Sequence, residues 1–242
     1  YNGLIYAGQL AKKLNAKLLI LHALNNNHTA SAAEVKKETI KHTSKIKTYC
    51  DESPIISDLM IDISISPKSP NEAINDSADL FDMDLVVMGT EGVEKPMKEL
   101  VGSLTYHVIE KSKIPILSVP ENAPFIPIQT IGFGVDYKRI EDTDALTVLK
   151  DFAYSFKSSI EIFHVHKYQE APEFLEPHEE AKLDNFFKGL SHTFQTLESK
   201  SIKDGLATYI EKSKPNVVAL VPRKYPFFEW LYHESVSEIA VQ

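Results

Sequence analysis

Gly89, Gly92, Gly102 and Ser103 follow a short apolar run, Leu85 to Met88, at a spacing suited to holding an anion. Glycine has no Cβ and reaches positive φ at little cost, so a loop built on Gly89 and Gly92 can curl and turn its N–H groups toward one point. Ser103 stands where a helix-starting cap belongs, and Leu104, Val108 and Ile109 give the helix behind it an apolar face. Strand, glycine loop and helix N-terminus in succession form an arrangement that binds phosphate. Strand-to-helix turns also use glycine for steric reasons alone. The serine directly after the third glycine adds to the spacing, because its hydroxyl and the first amides of its helix could converge on one phosphate. The loop lacks the Gly-Lys-Ser/Thr end of a P-loop and the Gly-x-Gly opening of the dinucleotide fingerprint.

The elements that would position this loop can be read from hydrophobic periodicity. Tyr1 to Leu14 places Leu4, Ala7, Gly8, Ala11 and Leu14 on one small-residue helical face. Leu18 to Leu24 reads as a strand, Asn25 to Ala30 as a polar loop, and Ala32 to Tyr49 as a helix with Val35, Thr39, His42, Ile46 and Tyr49 on one face. Leu59 to Ile65 alternates as a strand nearer the sheet edge, and Pro70 and Glu72 open a helix running to Phe81. Leu85 to Met88, continuous and apolar, reads as a buried parallel strand, and Ile114 to Val119 as the closing one. Pro120 to Pro127, with three prolines, is a linker.

The second half repeats the first. An offset of 142 carries Leu4 to Leu146, Ala11 to Ala153, Ile20 to Ile162 and His22 to His164; an offset of 132 carries Ser69 to Ser201, Asp84 to Asn216, Val86 to Val218 and Ser103 to Ser235. The change of ten residues implies a shorter helix-loop region around Phe174 to Gly189. Gln129 to Val135 is a strand whose first-half counterpart would precede Tyr1, and the counterpart of Ile114 to Val119 would lie beyond Gln242. The expectation is therefore that the sequence is a piece of a longer polypeptide. The glycines are replaced in the second half by Val221, Lys224 and Glu234, beside Pro222, Pro226, Phe227, Phe228 and Trp230, so that half is expected not to bind.

The succession Gly89, two residues, Gly92, nine residues, Gly102-Ser103 resembles the nucleotide loop of the universal stress protein family, and the whole chain is similar to a tandem member of it. The resemblance implies an α/β fold of two tandem doubly wound parallel-sheet domains, Rossmann-like and adenine nucleotide hydrolase-like, over residues 1–124 and 125–242. It further implies ATP, or AMP or ADP, in the first domain, held at Ala23, Met88, Gly89, Gly92, Gly102, Ser103 and Leu104. An aspartate ending the family's first strand would lie upstream of Tyr1; Asp136 matches it in the second half. Mg²⁺ is admitted as an accompanying ion, with Glu91 the nearby carboxylate. The implied function is stress-related sensing or regulation. A slow ATPase or nucleotide-transferring enzyme, and an interaction scaffold without nucleotide, are the alternatives. Association through closing strands implies an intramolecular pseudo-dimer of the two halves, with homo-oligomers left open.

A formal net charge of -8 over 242 residues argues against a general nucleic-acid or anionic-membrane binder, and no 18-residue apolar run or signal peptide is visible. Hydrophobic residues at 43% suffice for packed cores. Cys50 is the single cysteine, read as a partly buried residue ending a helix, and a cytoplasmic setting is expected. No catalytic residue is named, since no Ser-His-Asp set or positioned base is apparent. His164 and His166 lie two apart on a strand without a third ligand at useful spacing, and Glu170 to Glu180 reads as solvated surface.

Overall fold

The computed structural model describes residues 2–25, 31–90, 103–135, 143–168 and 177–220, with the backbone alone for residues 103, 104, 106, 143–145, 177 and 178. They fall into two units, one up to Phe125 and one from Ile126 onward. No helix among the described residues is long and apolar enough to cross a membrane.

The first unit runs α1 (Asn2–Leu14), β1 (Leu18–Ala23), α2 (Ala32–Glu52), β2 (Ile61–Ser66), α3 (Pro70–Phe81), β3 (Val86–Thr90), α4 (Ser103–Lys111) and β4 (Ile116–Pro120). Local chemistry sets several of these boundaries. Ser31 opens α2 with a capping box: its Oγ accepts from the Glu34 amide, and its own N–H donates to the Glu34 carboxylate at 2.8 Å. Pro70 occupies the first turn of α3, and the Ser69 N–H and hydroxyl both donate to Glu72. α2 continues three residues past Tyr49 before Ser53 closes it, its N–H donating to the Cys50 carbonyl at 3.2 Å. Cys50 is consequently fully buried, where the sequence suggests a partly buried position. Tight turns over residues 53 to 59 delay β2 to Ile61, two residues later than expected.

β1 pairs in parallel with β2, from Leu18 opposite Ile61 to Ala23 opposite Ser66, and β3 with β4, from Val86 opposite Ile116 to Thr90 opposite Pro120. These are separate two-stranded sheets; no described strand joins β1 to β3. The Val86–Met88 run, expected to be buried, is half-buried, because among the described residues β3 has a partner along one edge only. α1 packs against β3, β4 and β1, and buries Tyr6 and Leu10 as well as the small residues Ala7, Gly8 and Ala11. Its first turn is tied down by Asn2, whose Nδ2 donates to the carbonyls of Pro120 and Ala123 at 2.8 Å each.

The second unit runs β5 (Thr130–Gly134), α5 (Thr143–Phe156), β6 (Ser159–Lys167), α6 (Pro177–Phe186), β7 (His192–Ser199), α7 (Ile202–Ser213) and β8 (Val217–Leu220). All four strands are parallel, in the order β7-β6-β5-β8. The chain moves outward from β5 through β6 to β7 and then returns to the far side of β5, which is the reversal that defines a doubly wound sheet. Strand alternation sorts β5 and β6 between two cores. Ile131, Phe133, Ile160 and Ile162 join Leu146, Ala153, Leu183 and Phe187 in one core. Phe163, Leu206 and Tyr209 form the other. There Tyr209 stacks on Phe163 with ring centroids 3.9 Å apart and donates to Glu161 Oε2 at 2.9 Å. A side chain at Gly132 would collide with that ring, its Cβ lying 2.4 Å from the hydroxyl. Asn216 fastens the amino end of β5, its Oδ1 accepting from the amides of Gln129 and Thr130 at 2.8 and 3.0 Å.

The two offsets reach into the backbone. Asn15 and Lys157, 142 apart, both take the left-handed conformation, with φ of 52° and 57°. So do the helix-closing Asp82 and Lys214, 132 apart, with φ of 52° and 47°. Ser201 caps α7 through the Asp204 amide at 3.0 Å, in the position of Ser69 on α3.

Two stability predictions follow from the close contacts. Gly132→Ala overpacks the Tyr209 ring and should cost about 1–3 kcal/mol by equilibrium denaturation, whereas Tyr209→Phe, which leaves the Glu161 carboxylate short of its donor, should cost roughly 1–3 kcal/mol. Alanine tolerated at Gly132 would mean that the ring relaxes freely.

Candidate functional site

Of the sequence-derived positions, Ala23, Met88 and Gly89 lie at or near the carboxyl ends of their strands, where ligands of open α/β sheets bind. Ala23 is the last residue of β1 and half-buried, and the ladder runs one residue further through the Leu24 amide to the Ser66 carbonyl at 2.8 Å. Met88 and Gly89 are the third and fourth residues of β3, opposite Ser118 and Val119. Ser103 is the first residue of α4. Gly92 and Gly102 lie outside the described residues, as do Glu91, Asp136 and the second-half positions Val221, Lys224, Glu234 and Ser235. For Ser103 and Leu104 the structure places the backbone only.

One expectation about the glycines is corrected. Gly89 was read as a loop residue free to take positive φ; it is a strand residue, outside the left-handed region. Nor do sterics require glycine there; the close approach at this point makes its demand on Gly3. The first turn of α1 meets the end of β3 backbone to backbone, so that a Cβ on Gly3 would lie 2.7 Å from the Gly89 nitrogen and 2.8 Å from its Cα. In the opposite direction the contact is looser, a Cβ on Gly89 lying 3.5 Å from Gly3, which is ordinary van der Waals distance. Gly3 was not among the sequence-derived site residues. Its one signal was a glycine in the first turn of a helical pattern, where helix propensity disfavours it.

Helix N-termini carry partial positive charge from unpaired amides, and a carboxylate in the first turn neutralises it. Such a residue stands in α2 (Glu34), α3 (Glu72), α6 (Glu179 and Glu180) and α7 (Asp204), but in neither α1 nor α4. α4 is held from its far end: Asn75 of α3 donates to the Lys111 carbonyl at 3.0 Å and accepts from the Lys113 amide at 3.2 Å. Its own anchors are the buried Val108 and Thr105. Thr105 is a buried polar residue that periodicity alone had not marked.

His22, next to Ala23, lies face to face with His42 of α2, with ring centroids 4.3 Å apart and planes 22° apart. Burial, and then the neighbouring imidazole, push the His22 pKa below its ordinary value of 6.5. The equivalent His164 is buried in the second unit with Nδ1 2.9 Å from the Val135 carbonyl, a structural setting. No group of three or more His, Cys, Asp or Glu side chains that could hold a metal occurs among the described residues. A groove of about 330 Å³ runs between the end of α2 and the start of β2, lined by Lys47, Cys50, Asp51, Ile56 and Asp62 among others. The register places it at the opposite end of the strands from Ala23. Burial and the adjacent Asp51 push the Cys50 thiol up, away from thiolate chemistry.

Comparison with known proteins places this geometry. A comparison with curated proteins returns no match. Among solved structures, a universal stress protein from Archaeoglobus fulgidus is similar at a TM-score of 0.67 and 16% identity, covering 90% of this chain and 81% of that one. A protein of unknown function from Pseudomonas aeruginosa PAO1 is similar at a TM-score of 0.55 and 12% identity, covering 93% of this chain and 78% of that one. At these identities the likeness is one of fold. A universal stress protein in complex with cAMP shares 26% identity over 48% of this chain and 86% of its own, but a TM-score of 0.37 is too loose for any conclusion about this site. The model of the universal stress protein family matches residues 2–120, the span that contains β1, the end of β3 and the start of α4. That span, just under half of the chain, is a domain of the universal stress protein family.

Proposed function

We propose that the first unit of this stress-response protein binds an adenine nucleotide, ATP or its close relatives AMP and ADP, as a regulatory signal, and that the second unit supports it without binding. The observation that carries this reading is the start of α4. Its first turn has no carboxylate to neutralise its amides, and the sequence between it and β3 contains Gly92 and Gly102, which supports a phosphate there. The backbone at Ala23 and Met88, each at or near the carboxyl end of its strand, is assigned to the adenine and ribose. Gly92, Gly102, Ser103 and Leu104 are assigned to the phosphates, with Mg²⁺ as their accompanying ion. Val221, Lys224 and Glu234 in the corresponding positions support a tandem arrangement in which one half has lost the loop chemistry.

Calorimetric titration with ATP should give one site per chain, abolished by Gly102→Glu, which sets a carboxylate against the phosphate. Ser103→Ala should weaken affinity by roughly 1–3 kcal/mol, the range for a charge-assisted hydrogen bond. Single-turnover incubation with labelled ATP should return the nucleotide uncleaved. Two equivalent sites, or no binding at all, would overturn the reading, and cleavage would turn it into that of a slow ATPase.

The Gly3 contact makes a separate expectation. Gly3→Ala should destabilise the first unit by about 1–3 kcal/mol through collision with β3 backbone, although alanine is the better helix former by up to about 1 kcal/mol. Gly89→Ala should be nearly neutral in denaturation. Equal effects at the two positions would show that the approach is not tight.

A further inference from the structure

His22 and His42 stack across the junction of β1 and α2, and the next residue on β1 is Ala23, assigned above to the nucleotide. We infer that this histidine pair is a proton-operated latch that holds α2 on β1 at neutral pH, releases it in acid, and so lowers nucleotide occupancy as pH falls. The link to occupancy rests on the nucleotide reading; the latch itself does not.

The argument begins with what surrounds His22. On α2, His42 faces it, and the His42 Nε2 lies 3.3 Å from Glu38 Oε2, whose carboxylate also holds Lys41 Nζ at 3.1 Å. The Glu38 carboxylate therefore already lies against Lys41 and the His42 ring on its own helix. On β2 the partners around His22 are Ser64, Ile65 and Ser66, none of them ionisable. α3, packed against β1, buries Ala73, Ile74, Ser77 and Ala78, while its charged Asp76 and Asp79 are exposed and paired with Lys68 and Lys113. α1 buries one ionisable side chain, Tyr6, which burial keeps neutral by raising its pKa. Among the described residues, then, the ionisable neighbour that bears on His22 is a second imidazole, and no carboxylate stands ready to take its charge.

Two neutral imidazoles stack favourably, whereas two imidazolium rings at this separation repel in a partly desolvated setting. The sign is fixed by linkage. With α2 docked, the His22 pKa lies below its ordinary 6.5; with α2 released it moves back toward that value, so the released state binds more protons. The His22 contribution to docking is thus fully present above about pH 6.5 and is lost as pH falls through that value toward the lowered one. α2 packs on β2 as well, where its inward residues Val35, Thr39, His42, Ile46 and Tyr49 are all half-buried and Cys50 alone is fully buried, at its end.

The test compares the wild type with His42→Gln, which keeps a polar side chain near Glu38 but cannot charge. Amide hydrogen exchange of α2 in the nucleotide-free chain, corrected for intrinsic rates, is followed from about pH 7.5 to about pH 5. Protection should fall severalfold more in the wild type than in the variant. The ATP dissociation constant over the same range should rise by a similar excess, the variant carrying the ligand's own titration as a control. Equal pH dependence of α2 protection in the two proteins overturns the latch. Failure of the wild type to bind ATP at neutral pH overturns the nucleotide reading instead, leaving the exchange result to decide the latch. Should His42→Gln not fold, NMR titration of the His22 ring in the wild type decides it: a midpoint below 6.5 is required, and a midpoint at or above 6.5 refutes it.

Discussion

The backbone ladder that β5 offers along both edges organises the second unit. Its carbonyls and amides pair with β6 on one side and β8 on the other, and a strand committed on both edges leaves no room for a register slip. Packing is committed with it. Because side chains alternate, Ile131 and Phe133 must enter one core, while Gly132 and Gly134 face the other. The missing side chain at Gly132 is what lets Tyr209 lie flat on Phe163 and reach Glu161. That hydrogen bond satisfies a tyrosine hydroxyl that would otherwise be costly to bury.

In the first unit, β1 and β3 belong to separate two-stranded sheets, and no described strand runs between them. α1 packs against strands of both. Its apolar face covers β3, β4 and β1, and the Asn2 side chain fastens its first turn to the chain after β4. The contact of Gly3 with Gly89 is backbone on backbone, which gives no scope for side-chain adjustment. The carboxyl end of β3 is thereby set by a helix as well as by its own ladder. This matters because the loop assigned to phosphate leaves from that end.

The same strand-end region carries the histidine pair, where geometry and electrostatics act in opposite directions. Stacking draws the rings together while both are neutral, and partial burial penalises a charge on His22. At the equivalent place in the second unit, the His164 ring instead lies against a backbone carbonyl. The repeated position is the same in sequence and different in chemistry, because what the ring meets is supplied by another element.

Much of the element order was legible in the residues themselves. Helices and strands follow from periodicity, and the capping residues Ser69, Pro70, Glu72 and Ser201 mark helix starts by local hydrogen bonding, which needs no tertiary contact. The offsets of 142 and 132, read from side-chain types, recur in the left-handed residues Asn15, Lys157, Asp82 and Lys214, although none of the four is glycine. The glycine spacing and Ser103 likewise pointed to the start of α4 without a structure. What the residues alone could not determine was decided between elements. Gly89 does not use its freedom of φ, and it is Gly3 whose missing side chain admits the backbone of β3, because of where α1 lies. The pairing of His22 with His42, and of Gly132 with Tyr209, joins positions 20 and 77 residues apart, which no local period can connect. The physical reason is the same in each case: hydrogen bonding within a helix or cap depends on near neighbours in the chain, whereas steric exclusion and the field on a titratable ring depend on whatever the folded chain brings to within a few ångströms.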